Sequence, residues 1–356
     1  MSAYAAAIAE AVCIAKDVST YIVKDESTVS TPWLSVLIPV FNVEDYLTDC
    51  LDSVIEQLDS GVEVVVLDDC STDSSYQRLC AYAESSRHPI RILRHDANGG
   101  ISAARNSLID NASGDYLWFL DSDDLMAAGA IQALRAIVLA HSPDLVLCDY
   151  RRWRSDTDFH ATSLLGYMAS FKGPAERLLD DPEALFSGLY AMGRLHAWSK
   201  ISKRQLWTAD IRFPEGRYFE DMVAMPRMAL KAKTYYYCPQ PWIIYRQRSG
   251  SIVSSFTIQK IDDMVAGLAG IFSLWRSEHP DMSLRTRYFF ARFALRIHTY
   301  ARKELRKMEH NSAERLHEYG QQIREHIGMS RKEVAWCFLA SGDVFRLIKM
   351  IRFLYL

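Results

Sequence analysis

The chain has 356 residues, of which 49% are hydrophobic and 24% are charged, and it carries a formal net charge of −3. This composition is ordinary for a folded protein of one or two domains. It excludes a disordered chain, a collagen-like repeat and a small disulfide scaffold. The weak negative charge argues against a nucleic-acid-binding protein.

Residues 1–33 are predicted to form an N-terminal helix and a polar linker, in which Pro32 bars a continuous helix. From Leu34 onward, apolar runs typical of buried strands alternate with helical patterns. The strands are predicted at residues 34–40, 62–68, 90–95, 115–121 and 144–150. This alternation predicts βαβ units and an α/β fold with a mainly parallel sheet, which binds its ligands beyond the carboxyl ends of the strands.

The second half of the chain has a less regular pattern. A helix is predicted at residues 220–232, and successive helices follow from about Ile258. The predicted organisation is therefore a main domain at 34–255, with halves at 34–150 and 151–255, and a helical C-terminal region at 256–356.

The cysteines and the apolar runs bear on the cellular compartment. Seven cysteines occur, an odd number in which no two form a C-x-x-C pair. The sequence therefore predicts free thiols in a reducing compartment, with neither a disulfide framework nor a zinc site. No apolar stretch is long enough for a membrane-spanning helix, and the N-terminus lacks the pattern of a signal peptide. These features predict a cytoplasmic protein.

Three carboxylates follow the predicted strand at 115–121. Asp121, Asp123 and Asp124 lie within four residues, around Ser122. Carboxylates so close together repel one another unless a cation or solvent compensates, and hard oxygen ligands suit Mg²⁺ or Mn²⁺. The cluster therefore predicts a metal and diphosphate site, although Asp124 is equally suited to a helix N-cap.

The ends of the first two strands carry further polar groups. The sequence Pro39-Val40-Phe41 ends the first strand, and Asp68 ends the second. A carboxylate at Asp68 can accept the imide N–H of uracil or bond a ribose hydroxyl. The Ser-Thr-Asp sequence at 71–73 is typical of a helix N-cap. We therefore predict Asp68 as the nucleotide ligand of this segment.

A glycine pair, Gly99 and Gly100, precedes a helix that carries Arg105 one turn in. Glycines let the backbone approach a ligand or the sheet closely, and Arg105 can reach a diphosphate. The spacing matches neither a dinucleotide-binding fingerprint nor a P-loop. A tight turn followed by a packed helix explains the two glycines equally well.

An acidic pair, Glu220 and Asp221, opens the predicted helix at 220–232. One interpretation is favourable negative charge at a helix N-terminus. The other is a catalytic base. The dipeptide alone does not decide between them.

Four motifs in a fixed order carry a resemblance to a known family: SVLIPVFNVEDYLTDCLDSV, VVVLDDCSTD, NGGISAARN and GDYLWFLDSDD. They resemble a family 2 inverting glycosyltransferase of the GT-A fold, of the bacterial surface-polysaccharide type. The resemblance is close over about residues 35–150 and looser as far as 252. It implies a Rossmann-like nucleotide-diphospho-sugar transferase domain with a helical C-terminal extension.

The resemblance also implies a role for each matching residue. The backbone from Pro39 to Phe41 cradles the base, and Asp68 binds it. Asp221 matches the usual general base. The implied nucleotide ligands are Pro39, Val40, Phe41, Glu44, Asp68, Gly100, Arg105, Asp121 and Ser122, the implied metal ligands are Asp123 and Asp121, and the implied catalytic residues are Asp221 and Glu220. The sequence departs from the family at Cys70, where glycine is more frequent.

The implied reaction is the inverting transfer of a hexose or N-acetylhexosamine. The donor is a nucleotide-sugar, most commonly a UDP-sugar, the cofactor is Mn²⁺ or Mg²⁺, and the acceptor is a hydroxyl of a glycan or of a lipid-linked glycan. Two other classes stay open. A sugar nucleotidyltransferase normally has a glycine-rich loop with a basic residue after the first strand, where this chain has PVFNVED. A non-catalytic sugar-nucleotide or glycan-binding module does not need the acidic pair.

Basic residues concentrate near the C-terminus. From Arg285 to the end, 15 Lys and Arg against 7 Asp and Glu give +8, which leaves −11 for the rest of the chain. Residues 344–356 mix basic with apolar side chains, as interfacial helices do. The pattern predicts docking on an anionic membrane, at the inner face of the plasma membrane. Packing on the body of the protein or on a second subunit of a homo-oligomer explains it equally well.

Overall fold

Apolar runs rich in valine, leucine and isoleucine form the centre of the fold. The computed structural model describes residues 18–22, 31–153, 166–247, 256–308 and 313–352, with the backbone alone for 18–22. The strands are β1 (Val18–Ile22), β2 (Leu34–Val40), β3 (Val62–Asp68), β4 (Arg91–His95), β5 (Tyr116–Phe119), β6 (Leu125–Met126), β7 (Leu145–Trp153), β8 (Tyr167–Met168), β9 (Leu178–Leu179), β10 (Lys200–Lys203) and β11 (Tyr235–Arg246).

Helices connect the strands and make up most of the C-terminal third of the chain. They are α1 (Leu47–Ile55), α2 (Ser75–Ser85), α3 (Gly100–Asn111), α4 (Ala130–His141), α5 (Pro182–Met192), α6 (Asp221–Lys231), α7 (Ile258–Ala266), α8 (Ile271–Glu278), α9 (Leu284–Met308), α10 (Ala313–Ile327), α11 (Arg331–Ala340) and α12 (Val344–Met350). None of the helices in the described ranges is both long and apolar enough to cross a membrane. The six cysteines in these ranges are free thiols.

The chain divides into two compact units. The first contains residues 1–168, 197–216 and 238–247, and the second contains 169–196, 217–237 and 248–356. These units interleave along the chain because β10 and most of β11 return to the first unit. The predicted boundaries after residues 33, 150 and 255 stay predictions.

The first unit is built on a sheet with a parallel centre. Strands β4, β3, β2 and β5 are neighbours in that order and are all parallel. Every residue of β2 is buried, as expected for a central strand covered on both faces. The prediction of an α/β fold with a parallel sheet is confirmed by this arrangement.

Antiparallel strands extend the parallel centre on both sides. β10 lies between β5 and β7 and is antiparallel to both. On the other side, β1 pairs antiparallel with β4. The expected N-terminal helix is therefore wrong for Val18–Ile22, where β-branched and aromatic residues favour a strand. Residues 1–17 and 23–30 of that prediction lie outside the described residues.

The second unit is helical and has an aromatic core. The ring of Phe186 on α5 lies 4.5 Å from that of Tyr190, 4.3 Å from that of Trp275 and 5.9 Å from that of Phe290, centroid to centroid. Rings at these separations attract one another beyond the effect of burial alone. The predicted helical C-terminal region is confirmed by α7 to α12.

Candidate active site

The carboxyl ends of β2 and β3 meet at one edge of the sheet. Val40 and Asp68 are register partners, and the Asp69 N–H donates to the carbonyl of Val40 at 2.8 Å. Beyond the strands, Asn42 adopts a left-handed φ of 51°, and its side-chain oxygen accepts from the Thr72 N–H at 2.8 Å. These bonds hold the two predicted nucleotide-binding loops together, with the ring of Phe41 43% exposed beside them.

Asp68 is fully buried, and only one of its carboxylate oxygens is bonded. Its Oδ2 accepts from the Ser71 N–H at 3.2 Å and lies 3.3 Å from Nε of Arg94. The Arg94 guanidinium is held 3.9 Å above the ring of Tyr76. Oδ1 has no hydrogen-bond partner within the described ranges. An unpaired buried oxygen is costly, so this atom lacks a donor that the described residues do not supply.

Glu44 lies on the same edge, but its hydrogen bonds are with the residues at the start of α2. Its Oε2 accepts from the Ser74 N–H at 3.0 Å, and its own N–H donates to Oδ2 of Asp73. Asp73 in turn accepts from the Ser75 N–H at 2.9 Å, but the predicted N-cap at 71–73 is wrong, because the N-cap of α2 is Ser74 and its side chain makes no capping bond. A nucleotide contact through the Glu44 carboxylate stays a prediction.

Asp69 is a positioning residue that the sequence analysis missed. Its buried carboxylate accepts from the Gly99 N–H at 2.9 Å, from the Gly100 N–H at 2.8 Å and from the side-chain amide of Asn98 at 3.0 Å. It also lies 2.6 Å from Nδ1 of His95. Adjacent side chains along a strand point to opposite faces of the sheet. This alternation could have indicated that Asp68 and Asp69 have different roles.

The glycine pair is therefore bound to the sheet by Asp69. Gly100 has a φ of +81°, which favours glycine, and a Cβ there would meet no atom within 4 Å. A Cβ on Gly99 would lie 2.8 Å from that of Ala103. The backbone N–H groups of both glycines are engaged by Asp69, which favours the tight-turn interpretation. A ligand contact at Gly100 stays a prediction.

Replacing Asp69 by asparagine should destabilise the protein by about 1–3 kcal/mol, because an amide offers one acceptor oxygen in place of two and leaves part-buried N–H groups of the glycine turn unpaired. Urea unfolding measures this loss. Asp96→Asn is the matched control, since Asp96 is an exposed aspartate in the turn that follows β4. Equal stability of the two variants would contradict the positioning role.

The carboxylate cluster follows β5, the strand parallel to β2 on its other side. The Asp124 N–H donates to the carbonyl of Asp121 at 3.0 Å, which closes a turn around buried Ser122. Nη2 of Arg105 donates to Oδ1 of Asp121 at 2.8 Å, and its guanidinium lies over the ring of Phe213. Arg105 is thus an ion-pair partner of the cluster, and its predicted contact with a diphosphate stays a prediction.

Asp124 secures the cluster to β11. Its buried Oδ1 accepts from the backbone N–H of Arg246 at 2.8 Å. The expected role as a helix cap is wrong, because α4 begins only at Ala130 and its N-cap is Gly129. Burial raises the pKa of Asp124, and the negative charges of Asp123 and Asp121 raise this pKa further.

Two other groups, the buried Cys50 and the half-buried Tyr245, lie in the same negative potential. Burial raises the pKa of the Cys50 thiol, and the charges of Asp124, Asp123 and Asp121 raise this pKa further. Burial and the same three carboxylates also raise the pKa of Tyr245 to about 12. The potential around the cluster is therefore negative, which favours a cation there.

A divalent cation fits this site on chemical grounds. Asp121 and Asp123 supply the hard oxygen ligands that Mg²⁺ and Mn²⁺ prefer. Oδ2 of Asp124 is a buried oxygen without a hydrogen-bond partner in the described part of the chain. Within those ranges, however, no three acidic, histidine or cysteine side chains are already gathered in a metal-binding arrangement. The metal and its ligands stay predictions.

The acidic pair lies in the second unit, at the start of α6. Asp221 is the first residue of the helix and buried Glu220 precedes it. Phe219 adopts a left-handed φ of 59°, which costs a bulky residue about 1–3 kcal/mol. The Tyr218 N–H donates to Oδ2 of Asp263 at 3.1 Å, which helps to fix the turn. Backbone strain directly before an acidic pair is typical of functional sites.

Part of the chain matches a known protein family. The Glycosyl transferase family 2 profile matches residues 35–200. Glycosyltransferase GlyA of Streptococcus pneumoniae is 30% identical over 230 residues, which cover 63% of this chain and 32% of GlyA. The chain thus spans about a third of the length of that relative.

Solved structures share the fold. S. aureus TarS 1–349 in complex with UDP-GlcNAc has a TM-score of 0.63 and 21% identity, covering 88% of this chain and 89% of that one. Mannosyltransferase PcManGT from Pyrobaculum calidifontis, in complex with GDP-Man and Mn²⁺, has a TM-score of 0.51 and 15% identity, covering 90% and 88%. The chain has the GT-A fold, and residues 35–200 are a Glycosyl transferase family 2 domain.

Proposed function

We propose that this chain is an inverting glycosyltransferase that moves a sugar from a UDP-sugar to a hydroxyl of a glycan or of a lipid-linked acceptor. The observation that carries the proposal is the edge formed by the ends of β2, β3 and β5. It combines an unbonded buried oxygen of Asp68 with a cluster of three carboxylates. The family 2 domain supports this proposal, and so does the likeness to a TarS structure that contains UDP-GlcNAc.

In this proposal the uracil base of the donor binds to Asp68. Its Oδ1 accepts the imide N–H of uracil, while Arg94 and the Ser71 N–H hold Oδ2 in place. The backbone of Pro39 and Val40 and the exposed ring of Phe41 line the same edge. The uracil N–H satisfies the buried oxygen that the protein leaves unbonded.

The diphosphate belongs at the carboxylate cluster. Asp123 and Asp121 would hold Mn²⁺ or Mg²⁺, which would supply neutralising charge for the departing nucleoside diphosphate. Arg105 keeps Asp121 in position through their ion pair and offsets part of its charge. Asp124 keeps the turn attached to β11.

Asp221 is the proposed general base. It accepts the proton of the acceptor hydroxyl while the hydroxyl oxygen attacks the anomeric carbon on the face opposite UDP. One carbon–oxygen bond forms as the bond to the diphosphate oxygen breaks, and UDP leaves with the electron pair. A single displacement inverts the anomeric configuration without a covalent intermediate on the enzyme.

Slow release of UDP from UDP-glucose or UDP-N-acetylglucosamine, with water as the acceptor and Mn²⁺ present, tests the proposal. A transferase releases UDP, and comparison of the two donors separates a hexosyl from an N-acetylhexosaminyl enzyme. A binding module is stabilised by the donor without releasing UDP. A nucleotidyltransferase instead consumes UTP and a sugar phosphate and releases pyrophosphate. Either of these last two results would overturn the proposal.

A further inference from the structure

Six large apolar side chains are exposed on the last two helices of the described chain. On α11 they are Trp336 and Leu339, which are spaced three residues apart and therefore share a face. On α12 and at its end they are Val344, Phe345, Ile348 and Ile351. We call these six residues the C-terminal apolar face.

Helix α12 is apolar on two opposite sides. Leu347 and Met350 point inward and are buried. On the other side, the side chains of Phe345 and Ile348 are 69% and 60% exposed. Helix α12 also carries Arg346 and Lys349, but exposed apolar side chains on the side away from its packing contacts indicate an additional contact.

Basic residues alternate in the sequence with those of the C-terminal apolar face. Residues 331–352 contain five Lys or Arg and two Asp or Glu, a net charge of +3. The ammonium of Lys349 lies 4.6 Å from the ring centroid of Phe345, so its chain lies along the apolar surface. Long basic side chains of this kind cover apolar surface while their charged ends reach polar surroundings.

We propose that the C-terminal apolar face docks on an anionic lipid surface. Aromatic and aliphatic side chains enter the boundary between headgroups and acyl chains, and the basic residues meet the lipid phosphates. A second copy of the chain fits less well. A two-fold interface brings the same surface of each copy together, so it would oppose this excess of positive charge with itself.

Co-sedimentation with vesicles of phosphatidylglycerol or of phosphatidylcholine tests the proposal on the full chain. We expect the protein to bind phosphatidylglycerol vesicles at low salt and to bind less as salt is added, because charged surfaces are screened within about 8–10 Å at 0.1–0.15 M salt. Binding to phosphatidylcholine should be weaker at every salt concentration.

Two surface variants locate the contact. Phe345→Ser combined with Ile348→Ser should abolish vesicle binding. Lys349→Gln should weaken it about fivefold, the effect of about 1 kcal/mol for one basic residue near such a surface. Leu139→Ser is the matched control, because Leu139 is a 77% exposed apolar residue on α4. All of these changes are at exposed or half-exposed side chains, so the fold should stay intact. The melting temperature of each variant checks this.

Three results would overturn the proposal. One is equal, negligible sedimentation with both lipids. Another is unchanged binding of the Phe345 and Ile348 double variant when its melting temperature is normal. The third is concentration-dependent dimerisation, measured by light scattering, that this double variant abolishes while lipid binding is absent. That last result would assign the face to a second copy. UDP release is a separate readout, so failure here is distinguishable from failure of the proposed function.

Discussion

Asp221→Asn should lower the rate of sugar transfer by about 10²–10⁴-fold, the usual contribution of a positioned general base. Asparagine is nearly isosteric with aspartate but does not accept a proton at neutral pH. The affinity for UDP, measured by titration calorimetry, should stay unchanged because the proposed role of Asp221 is on the acceptor and not on the donor. The acidic limb of the pH–rate profile should disappear with the base.

Stability must be followed alongside the rate, since Asp221 lies in the first turn of α6. Loss of a negative charge there costs about 0.3–1 kcal/mol, too little to unfold the protein. Asp110→Asn is a suitable control, because Asp110 is an exposed aspartate on α3 that pairs with Arg212. Transfer within a few-fold of wild type would refute the assignment and direct the search to Glu220.

Asp123→Ala should abolish turnover and the Mn²⁺-dependent part of UDP binding. The change removes one of two proposed metal ligands and one source of the negative potential that raises the pKa of Asp124. Because that potential opposes the fold when no cation is bound, the melting temperature without metal should stay constant or rise. Addition of Mn²⁺ and UDP should raise the melting temperature of the wild type but not that of Asp123→Ala.

The matched control for this experiment is Asp115→Ala. Asp115 is an exposed aspartate directly before β5, whereas Asp123 follows the same strand. The control should keep both turnover and the metal-dependent thermal shift. If the melting temperature of Asp123→Ala rose with Mn²⁺ and UDP as much as that of the wild type, the cation would be held by other residues.

The pattern of apolar residues was sufficient to predict the central strands. β2 and β3 have the bounds expected, 34–40 and 62–68, because each is an apolar run between polar turns. The order of the motifs was sufficient to predict the family. The roles of Asp68, Asp123 and Asp221 rest on that resemblance and stay predictions.

Long-range pairing could not be predicted in the same way. The partners of Asp69 lie 26 to 31 residues further along, and nothing local distinguishes Asp69 from Asp68 except the alternation of side chains. Asp124 binds a backbone N–H 122 residues away, so its sequence neighbours suggested a helix cap instead. The strand β1 was missed because an alanine-rich stretch precedes it and helical spacing dominated the pattern.

The position of β10 has a consequence for the synthesis of the protein. β5 and β7 are joined in the sheet by β10, which follows both of them in the chain. On the ribosome, β5 therefore has a partner in β2 on one side and an open edge on the other until residue 203 has been made. Open edges of apolar strands are templates for aggregation. The strand that precedes the carboxylate cluster is thus open to aggregation until β10 has been synthesised.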